Sequence, residues 1–576
     1  RLESEAGEYL RRQGADPRSI AFHRRVQLKA AGSDTALEVP WKETVESMTA
    51  SFHLAHSSQF GFNCDEASLV IASVQLEAIA PVPRAKESPW QSPSGPLKAL
   101  GYREIWFDSA WVATPVYQRD QLPCGVSIPG PAVIVENNAT TVVESQWQGQ
   151  IDQRGNLLIT RQTLREAPER LSTRCDPVML EVFNGLFMHI AEQMGIVLER
   201  TAHSVNIKER LDFSCAVFDA RGELIANAPH IPVHLGSMGE SISTVLSQRE
   251  KPIRPGDVYM LNAPYNGGTH LPDVTVVTPV FSDAGDEVIF TVASRAHHAD
   301  IGGITPGSMP ATSRSIEEEG ILFDNVTLVA DGVFQEQQIR ALLGRQPFPA
   351  RNPDQNIEDL RAQVAANAKG VKELSTLIAH YGLRGVRAYM DHIKNNAEEC
   401  VRDALLNLRD GSSSVELDTG DRICVKISID KEKRTAVVDF TGTSPTSSSN
   451  FNAPTSVARA AILYVFRMLV KNNMPLNAGC MKPIEVRLPI ESLVNPTFPA
   501  AVVAGNVETS QCITDALLAA LDVCAGAQGT MNNFTFGNDR YQYYETLCGG
   551  AGAGANFDGA SAVHTHMTNS RLTDPE

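Results

Sequence analysis

The sequence lacks the features that mark membrane-spanning and disulfide-stabilised proteins. No apolar run reaches the ~18–20 residues needed to cross a bilayer, and the best candidate, residues 460–470, contains Arg467. The ten cysteines form no CxxC pair and follow no regular spacing, which is typical of mostly buried thiols in a reducing compartment. We also find no signal peptide. The sequence therefore predicts a cytoplasmic protein without a membrane partner.

Positive charge is scarce as well. The chain has 50 Lys and Arg against 67 Asp and Glu, which gives a formal net charge of −17. Because nucleic acids and anionic membranes repel such a surface, both are excluded as partners. Internal repeats and heptad runs are missing, and so is the GxxxxGKS/T motif of a phosphate-binding loop.

The chain is too long for a single hydrophobic core. At 576 residues, with 43% hydrophobic and 20% charged residues, we predict a multi-domain protein of mixed α and β class. The first module, residues 1–165, is predicted to be β-rich. Its expected elements are a polar helix at 2–12, strands at 21–30, 68–80 and 131–144, and a Pro/Ser-rich loop at 81–96.

A helix start marks the second module, residues 176–576. Asp176 is placed to cap this helix, and Pro177 to occupy its first position. Apolar residues then recur every three or four positions as far as Met194, so the helix is expected to bury one face.

A helical hairpin and further strands are predicted later in this module. The first helix of the hairpin extends from Pro353 to a stop at Gly382, and the second covers 384–408. Strands follow at 423–429 and 435–443. The second module is therefore expected to be large and of mixed α and β structure.

Between these helices lies a predicted β-hairpin. Apolar, β-branched runs favour two antiparallel strands joined by a Gly-containing turn, and the segments are 274–281, 288–296 and 282–287. If Phe281 pairs with Val288, Asp273 falls opposite Ala296. The start of one strand and the end of the other then share one end of the hairpin.

That end of the hairpin gathers His270, Asp273 and His297. Two imidazoles and one carboxylate are a common set of ligands for a divalent metal, and they leave coordination positions open. Mn, Zn and Fe are all compatible with it. The alternative is a polar hairpin end whose histidines only cap backbone groups.

His298 and Asp300 are the candidate catalytic residues of the same motif. Neighbours on a strand face opposite sides, so the pattern does not decide whether His297 or His298 points inward. Asp300 is a candidate partner for an imidazole or a base acting on water. Alternatively, it only begins the turn formed with Gly302 and Gly303.

Three further residues are candidate substrate-binding groups. His230 and His234 are four positions apart, but Pro232 argues against a helical ligand pair. We expect either a pocket wall or structural hydrogen bonds. Arg210 is suited to holding a substrate carboxylate through two parallel hydrogen bonds, with an ordinary salt bridge as the alternative.

Longer stretches of the second module form a recognisable set. They are HIPVHLGSM (230–238), NGGTHLPDVTVVTPVF (266–281), AHHADIGGITPGSMP (296–310), AGNVETSQCITDALL (504–518) and QGTMNNFTFGN (528–538). These stretches resemble the hydantoinase B/oxoprolinase family, and RAHHADIGG with PGSMP resembles its 5-oxoprolinase branch. Residues 176–576 look like most of the B module, and 1–165 like the C-terminal part of the hydantoinase A module.

The resemblance implies ATP-dependent ring opening of 5-oxo-L-proline to L-glutamate, within glutathione metabolism. Related members bind a metal through His-x-x-Asp and a downstream His, which correspond here to His270, Asp273 and His297. ATP and Mg would be bound by an upstream module of the same polypeptide that phosphorylates the lactam, so this segment would carry the hydrolysis. A homodimer is also implied. The chain starts without Met and ends without a closing element, so we expect part of a longer polypeptide with a truncated B module.

The substrate stays open at this point. A hydantoin-opening amidohydrolase or a ketone carboxylase of the same superfamily fits the same motifs. A non-catalytic assembly scaffold is the alternative from a different class of protein. The intact set of His270, Asp273 and His297 favours an enzyme, because a scaffold does not need it.

Overall fold

The computed structural model divides into two compact units, each built from two stretches of the chain. The first comprises Arg1–His23 and Leu76–Arg170, and the second Arg24–Gln75 and Leu171–Glu576. Residues 24–75, which fall in the predicted first module, thus belong to the second unit. The structure describes residues 1–33, 35–60, 68–81, 92–107, 109–162, 172–228, 230–247, 252–282, 284–471, 474–538 and 542–567. Most of the loop predicted at 81–96 lies outside them.

The first unit is β-rich. A four-stranded sheet has the order Gly101–Phe107, Ala110–Gln118, Ala132–Val135, Thr140–Val143, and a three-stranded sheet the order Leu157–Arg161, Trp147–Ile151, Ser127–Pro129. The helical elements are Leu2–Arg12, Pro17–Ser19 and Arg119–Gln121. Alternating apolar side chains such as Ile128, Ile134 and Val143 form the core.

Next come a small sheet, which contains the strands predicted at 21–30 and 68–80, and a helix that the sequence did not predict. The sheet has the order Leu37–Pro40, Ala21–Ala30, Leu69–Ile79, and the helix is Val45–Phe60. The buried positions of the helix are Met48, Phe52, His56 and Phe60. Because one of these four positions is a histidine, the apolar stripe is hard to recognise in the sequence.

A seven-stranded antiparallel sheet forms the centre of the second unit. Across the sheet the strands are Leu224–Asn227, Phe213–Asp219, Val288–His297, Asp273–Phe281, Val258–Leu261, Val326–Ala330 and Val333–Phe334. One face packs against Pro177–Thr201, Pro353–Tyr381 and Leu383–Leu405, called the long-helix layer below. The other face packs against Pro232–Ser247, called the short helix.

The strand Phe213–Asp219 shows how the two faces are divided. Cys215 and Val217 pack with the long-helix layer, whereas Ala216 and Phe218 pack with the short helix. Every residue of the strand is buried. A strand covered on both faces is apolar throughout and does not alternate with polar residues.

The predicted β-hairpin is confirmed. Its strands are Asp273–Phe281 and Val288–His297, and they pair antiparallel. Both strands lie in the interior of the seven-stranded sheet. The polar residues at the end of the hairpin are therefore enclosed by the fold.

The register of the hairpin differs from the prediction by one residue. Phe281 pairs with Val288 as expected, but Asp273 lies opposite His297 and not opposite Ala296. The register shifts just before the Phe281 pair, where the second strand has one extra residue. A bulge of this kind leaves no trace in a period-two pattern.

The predicted helix start and helical hairpin are confirmed. The side chain of Asp176 accepts hydrogen bonds from two backbone N–H groups in the first turn of Pro177–Thr201. The hairpin consists of Pro353–Tyr381 and Leu383–Leu405. Gly382 joins them with a φ of 79°, which glycine adopts without strain.

The rest of the second unit contains another sheet and short elements. The sheet has the order Gly411–Glu416, Arg422–Asp430, Thr435–Asp439, Ile484–Arg487 and packs against Thr455–Met468 and Ser510–Ala520. The remaining elements are Val205–Lys208, Pro264–Asn266, Pro306–Ser308, Ile316–Glu319, Glu336–Leu343, Ala478–Met481, the π-helical Gly505–Thr509, and the strand pairs Asn533–Gly537 with Gln542–Thr546 and Gly550–Ala551 with Ala560–Ser561.

The cysteines of the described ranges form no disulfide. Cys215 and Cys480 are buried, Cys175 is exposed, and the others are partly buried, so the thiols are less buried than predicted. Within those same ranges, no helix combines the length and the apolar character that a bilayer crossing requires.

Candidate metal centre

Three side chains meet where one strand of the hairpin begins and the other ends. His270 lies in the turn before the first strand, Asp273 is the first residue of that strand, and His297 is the last residue of the second. His270 Nε2 and His297 Nδ1 each lie 3.0 Å from Asp273 Oδ1. Each of the three residues is at most 2% exposed. The predicted convergence is confirmed, and these residues are called the triad below.

The triad fits a divalent ion. One ligand atom from each residue lies within 4.8 Å of the others, and bonds of about 2.0–2.2 Å to one ion bring ligand atoms to within roughly 4.4 Å of one another. His270 Nδ1 is buried and has no hydrogen-bond partner in the described part of the chain. Buried polar atoms normally have a partner, so this nitrogen is available to a ligand.

The second carboxylate oxygen of Asp273 contacts two further side chains. Thr269 Oγ1 donates a hydrogen bond to Asp273 Oδ2 at 2.6 Å, and His234 Nε2 lies 3.1 Å from the same oxygen. Burial raises the pKa of Asp273, but the charges and hydrogen bonds of His270 and His234 outweigh it and hold the pKa well below its usual value. The carboxylate is therefore ionised.

Asp212 brings a second carboxylate beside His297. Its Oδ2 lies 4.0 Å from His297 Nδ1. Burial lowers the pKa of His297, but the hydrogen bond to Asp273 and the charge of Asp212 raise it above its usual value overall. For His270 burial prevails, and its pKa is lowered. The two imidazoles of the triad thus differ in their tendency to hold a proton.

His298 faces the opposite side of the strand from His297. Its Nε2 lies 3.1 Å from Gln363 Oε1, and its Nδ1 lies 3.1 Å from Asn356 Nδ2, both on the long-helix layer. An acceptor at one ring nitrogen and a donor at the other hold a neutral imidazole, and burial also lowers the pKa of His298. His297 is therefore the inward-pointing histidine. A catalytic role for His298 stays a prediction.

Asp300 organises the loop that follows the hairpin. Its two oxygens accept hydrogen bonds at 2.9–3.0 Å from the backbone N–H of Gly302, Gly307 and Arg351 and from Arg351 Nη1. This arrangement matches the alternative in which Asp300 begins a turn. Its role as a base stays a prediction.

His230 and His234 are both hydrogen-bonded within the protein. His230 Nδ1 accepts a hydrogen bond from Cys215 N at 3.0 Å, and His234 is in contact with Asp273 as described. The short helix begins at Pro232, where the missing N–H of proline costs no helical hydrogen bond. His230 therefore precedes the helix and only His234 lies on it, so the two histidines form no helical ligand pair, as the position of Pro232 predicted.

Arg210 is electrostatically linked to the triad. Its positive charge contributes to lowering the pKa of His297, which places the guanidinium near that imidazole. Binding of substrate by Arg210, His230 or His234 stays a prediction.

Three residues that support the site were not predicted: Asp212, Thr269 and Gln363. Gln363 also donates hydrogen bonds to the carbonyl oxygens of Val274 and Ser294, one on each strand of the hairpin. Its signal in the sequence is a polar residue in the middle of a buried helix. Asp212 reaches the site through the pairing of distant strands, which no local pattern reveals.

Comparison with known families assigns the chain. The family described as hydantoinase B/oxoprolinase matches residues 176–576, and the hydantoinase/oxoprolinase C-terminal domain matches residues 34–160. The chain belongs to the hydantoinase B/oxoprolinase family. The resemblance seen in the sequence motifs is thereby confirmed.

Named members of the hydantoinase B/oxoprolinase family are similar over the whole chain. 5-Oxoprolinase 1 of Arabidopsis thaliana is 42% identical over 610 residues, which cover 100% of this chain and 48% of the relative. 5-Oxoprolinase of Dictyostelium discoideum is 42% identical over 587 residues, covering 100% of this chain and 46% of the relative. The chain thus spans about half the length of the curated relatives it matches.

The fold also resembles a solved structure. The ATP-dependent caprolactamase from Pseudomonas jessenii superposes with a TM-score of 0.59 at 26% identity, covering 67% of this chain and 69% of that chain. The mixed α and β, multi-domain class predicted from the sequence is confirmed.

Proposed function

We propose that this chain carries the hydrolytic half of an ATP-dependent opening of 5-oxo-L-proline to L-glutamate. The observation that carries the proposal is the buried convergence of His270, Asp273 and His297 at the end of the hairpin. The similarity to 5-oxoprolinases supports the choice of substrate. A divalent ion bound by the triad would supply Lewis-acid activation of a water, which is the nucleophile needed at the activated lactam carbon.

The residues around the triad prepare the site for such a reaction. A lactam keeps its amide resonance, so it needs activation by ATP and Mg in the upstream module of the same polypeptide. In this chain, Asp273 stays ionised and orients both triad imidazoles. Arg210 would hold the substrate carboxylate through two parallel hydrogen bonds. Burial of the triad keeps bulk water away.

His298 and Asp300 complete the proposal as supporting residues. Both ring nitrogens of His298 and both oxygens of Asp300 already have partners. We therefore assign them to fixing the hairpin end and the following loop, and direct proton transfer is the alternative. A homodimer, a cytoplasmic location and a place in glutathione metabolism also belong to the proposal and rest on the family resemblance.

Replacing Asp273 with Asn tests the proposal directly. The variant keeps the shape of the side chain but loses the charge that both imidazoles contact. In the full-length polypeptide, metal content and glutamate formation are expected to fall together, while ATP hydrolysis slows or becomes uncoupled. Elemental analysis, glutamate formation and phosphate release measure the three quantities, with 5-oxoproline and hydantoin compared in parallel.

The matched control is Asp430→Asn. The carboxylate of Asp430 lies at the turn between the strands Arg422–Asp430 and Thr435–Asp439 and accepts hydrogen bonds from two backbone N–H groups. It is expected to behave like the wild type. Glutamate formation at the wild-type rate in Asp273→Asn would contradict the proposal. Faster phosphate release with hydantoin than with 5-oxoproline would show that the proposed substrate is wrong, and the proposal of the metal site would stand.

A further inference from the structure

A buried arginine, Arg295, lies on the same strand as His297 of the triad. Arg295 is 0% exposed and sits two residues before His297 on the same face of the strand. In the described ranges, no carboxylate oxygen lies within salt-bridge distance of its guanidinium. Burial lowers the pKa of Arg295 to about 10, with the charges of Asp273 and Glu240 acting in the opposite direction. The side chain is therefore positively charged at neutral pH.

Its guanidinium makes four hydrogen bonds to neutral groups. Nε donates to Thr275 Oγ1 at 2.7 Å, and Nη1 donates to Ser237 Oγ. Nη2 donates to Ser241 Oγ at 2.8 Å and to the carbonyl oxygen of Gly267 at 3.1 Å. A charge buried without an ion pair is costly, so a structural reason for keeping it is needed.

These four partners lie on the elements that carry the site. The threonine is on the strand that begins with Asp273, and the two serines are on the short helix that contains His234. The glycine is in the turn that leads to His270, and the strand of Arg295 itself ends at His297. One side chain therefore ties together the two strands of the hairpin, the turn before His270 and the short helix that contains His234.

The turn lies directly against the short helix at this point. Gly267 has a φ of 90°, and a Cβ there would come within 2.3 Å of Ser241 N. Turn and helix have no space between them for a side chain from the turn itself. The guanidinium of Arg295 instead bridges them, because Nη2 donates both to Ser241 Oγ on the helix and to the carbonyl oxygen of Gly267 in the turn.

We propose that Arg295 is the positioning residue of the metal centre, holding the hairpin, the turn before His270 and the short helix at the spacing that metal binding requires. This inference rests on the proposed function, since it needs the triad to bind a metal. Lysine cannot replace arginine here. Its ammonium carries the same charge, but it has three donors and lacks the planar fork that reaches four oxygens at once.

Metal binding to the full chain, residues 1–576, tests this inference. Arg295→Lys and the wild type are stripped with a chelator and titrated calorimetrically with Mn²⁺ and with Zn²⁺. Because changes next to metal ligands typically weaken binding roughly 10–100-fold, a loss of that size is expected. The melting temperature is measured with and without metal, and the stabilisation by metal is expected to shrink in the variant.

The matched control is Arg402→Lys, on the second helix of the helical hairpin. Arg402 also makes several hydrogen bonds, to Glu398 and to the carbonyl oxygens of Lys433 and Arg434. It has no contact with the triad, so its metal affinity is expected to equal that of the wild type. Ser241→Ala removes one of the four bonds of Arg295 together with the bond from Ser241 Oγ to the carbonyl oxygen of Gly267, and it should weaken metal binding to a smaller extent than Arg295→Lys.

The outcomes separate this inference from the proposed function. Arg295→Lys and Ser241→Ala could both keep the wild-type metal affinity and lose the same amount of melting temperature with and without metal. This result would show that Arg295 only stabilises the fold. A wild-type chain that binds neither Mn²⁺ nor Zn²⁺ would overturn the proposed metal centre together with this inference. Weakened binding in Arg295→Lys but not in Arg402→Lys supports it.

Discussion

At the scale of single residues, two neighbouring histidines have different surroundings. His297 faces the short helix and joins the triad, whereas His298 faces the long-helix layer and is held by Gln363 and Asn356. The sheet is covered on both sides, so strand alternation sends each imidazole into a different polar environment. The contacts of each histidine are therefore decided by the layer that its side chain faces.

His234 was predicted to bind substrate, but its contacts indicate support of Asp273. Replacing His234 with Ala leaves Thr269 as the remaining donor to Asp273 Oδ2. We expect metal affinity to fall roughly 10-fold, with the KM for 5-oxoproline unchanged in the full-length polypeptide. Calorimetric titration and steady-state kinetics measure the two quantities.

A raised KM with unchanged metal affinity would restore the substrate-binding role of His234. His189→Ala is the control for loss of an imidazole, because His189 lies on the exposed side of the first long helix. That variant is expected to leave both quantities unchanged.

The buried carboxyl group of Glu319 is expected to make the stability of the protein depend on pH. It is completely buried and accepts hydrogen bonds from Ser313 Oγ, Val502 N and Val503 N. Burial outweighs these bonds and raises its pKa from 4.5 to about 7. Between these values the folded state keeps a proton that the unfolded state has lost, so stability falls as pH rises through this window, by at most roughly 3 kcal/mol.

Glu319→Gln imitates the protonated form at every pH. The melting temperature of the variant minus that of the wild type is therefore expected to increase between about pH 5 and about pH 8. Glu317 is an exposed neighbour in the helix Ile316–Glu319. Glu317→Gln is the control, and its difference in melting temperature from the wild type is expected to stay constant with pH. A constant difference for Glu319→Gln as well would contradict the prediction.

At the scale of elements, local signals predicted the site's framework but not its support. Asp176 marks a helix start through its capping side chain, and Gly382 marks a helix end through its positive φ. The β-hairpin follows from its β-branched strands. The bulge and the contacts of Arg295 and Gln363 depend on residues far away in the sequence. The triad could therefore be located from the sequence, because its ligands lie on one hairpin, while the residues that hold it could not.

The short helix packs closely against the helix Thr455–Met468. A Cβ at Gly236 would lie 2.4 Å from Ala460 Cα, whereas a Cβ at Gly239 would have Gly222 O, at 3.8 Å, as its nearest neighbour. Gly236→Ala must push the helices apart and is expected to destabilise the protein by about 1–3 kcal/mol. Gly239→Ala should instead stabilise it by up to ~1 kcal/mol, because alanine is the better helix former.

Thermal unfolding of the two variants measures this contrast. They introduce the same methyl group three residues apart on one helix, so each is the control for the other. An increase of melting temperature in both variants would show that helix propensity, and not the approach of the two helices, decides the outcome.

At the scale of the whole molecule, the chain matches two family domains but about half the length of its curated relatives. On the family resemblance, we propose that ATP is bound by an upstream module outside residues 1–576. We therefore expect residues 1–576 to bind a divalent metal without hydrolysing ATP. Elemental analysis and a phosphate-release assay measure these two properties.

The ATP-dependent caprolactamase from Pseudomonas jessenii provides the positive control for phosphate release in the same assay. ATP binding wholly within residues 1–576, measured by calorimetric titration, would show that the phosphorylation step has been assigned to the wrong part of the polypeptide.

The complete burial of the triad has a consequence for how a metal enters and leaves. With each residue at most 2% exposed, an ion held there exchanges with solution only when the surrounding segments open, so its exchange rate is set by local unfolding. Competition among ions after folding is then slower than at an exposed site. The ion found in the purified protein before any chelator treatment therefore depends on which metals were available during growth, and growth in media with different trace metals should change its identity.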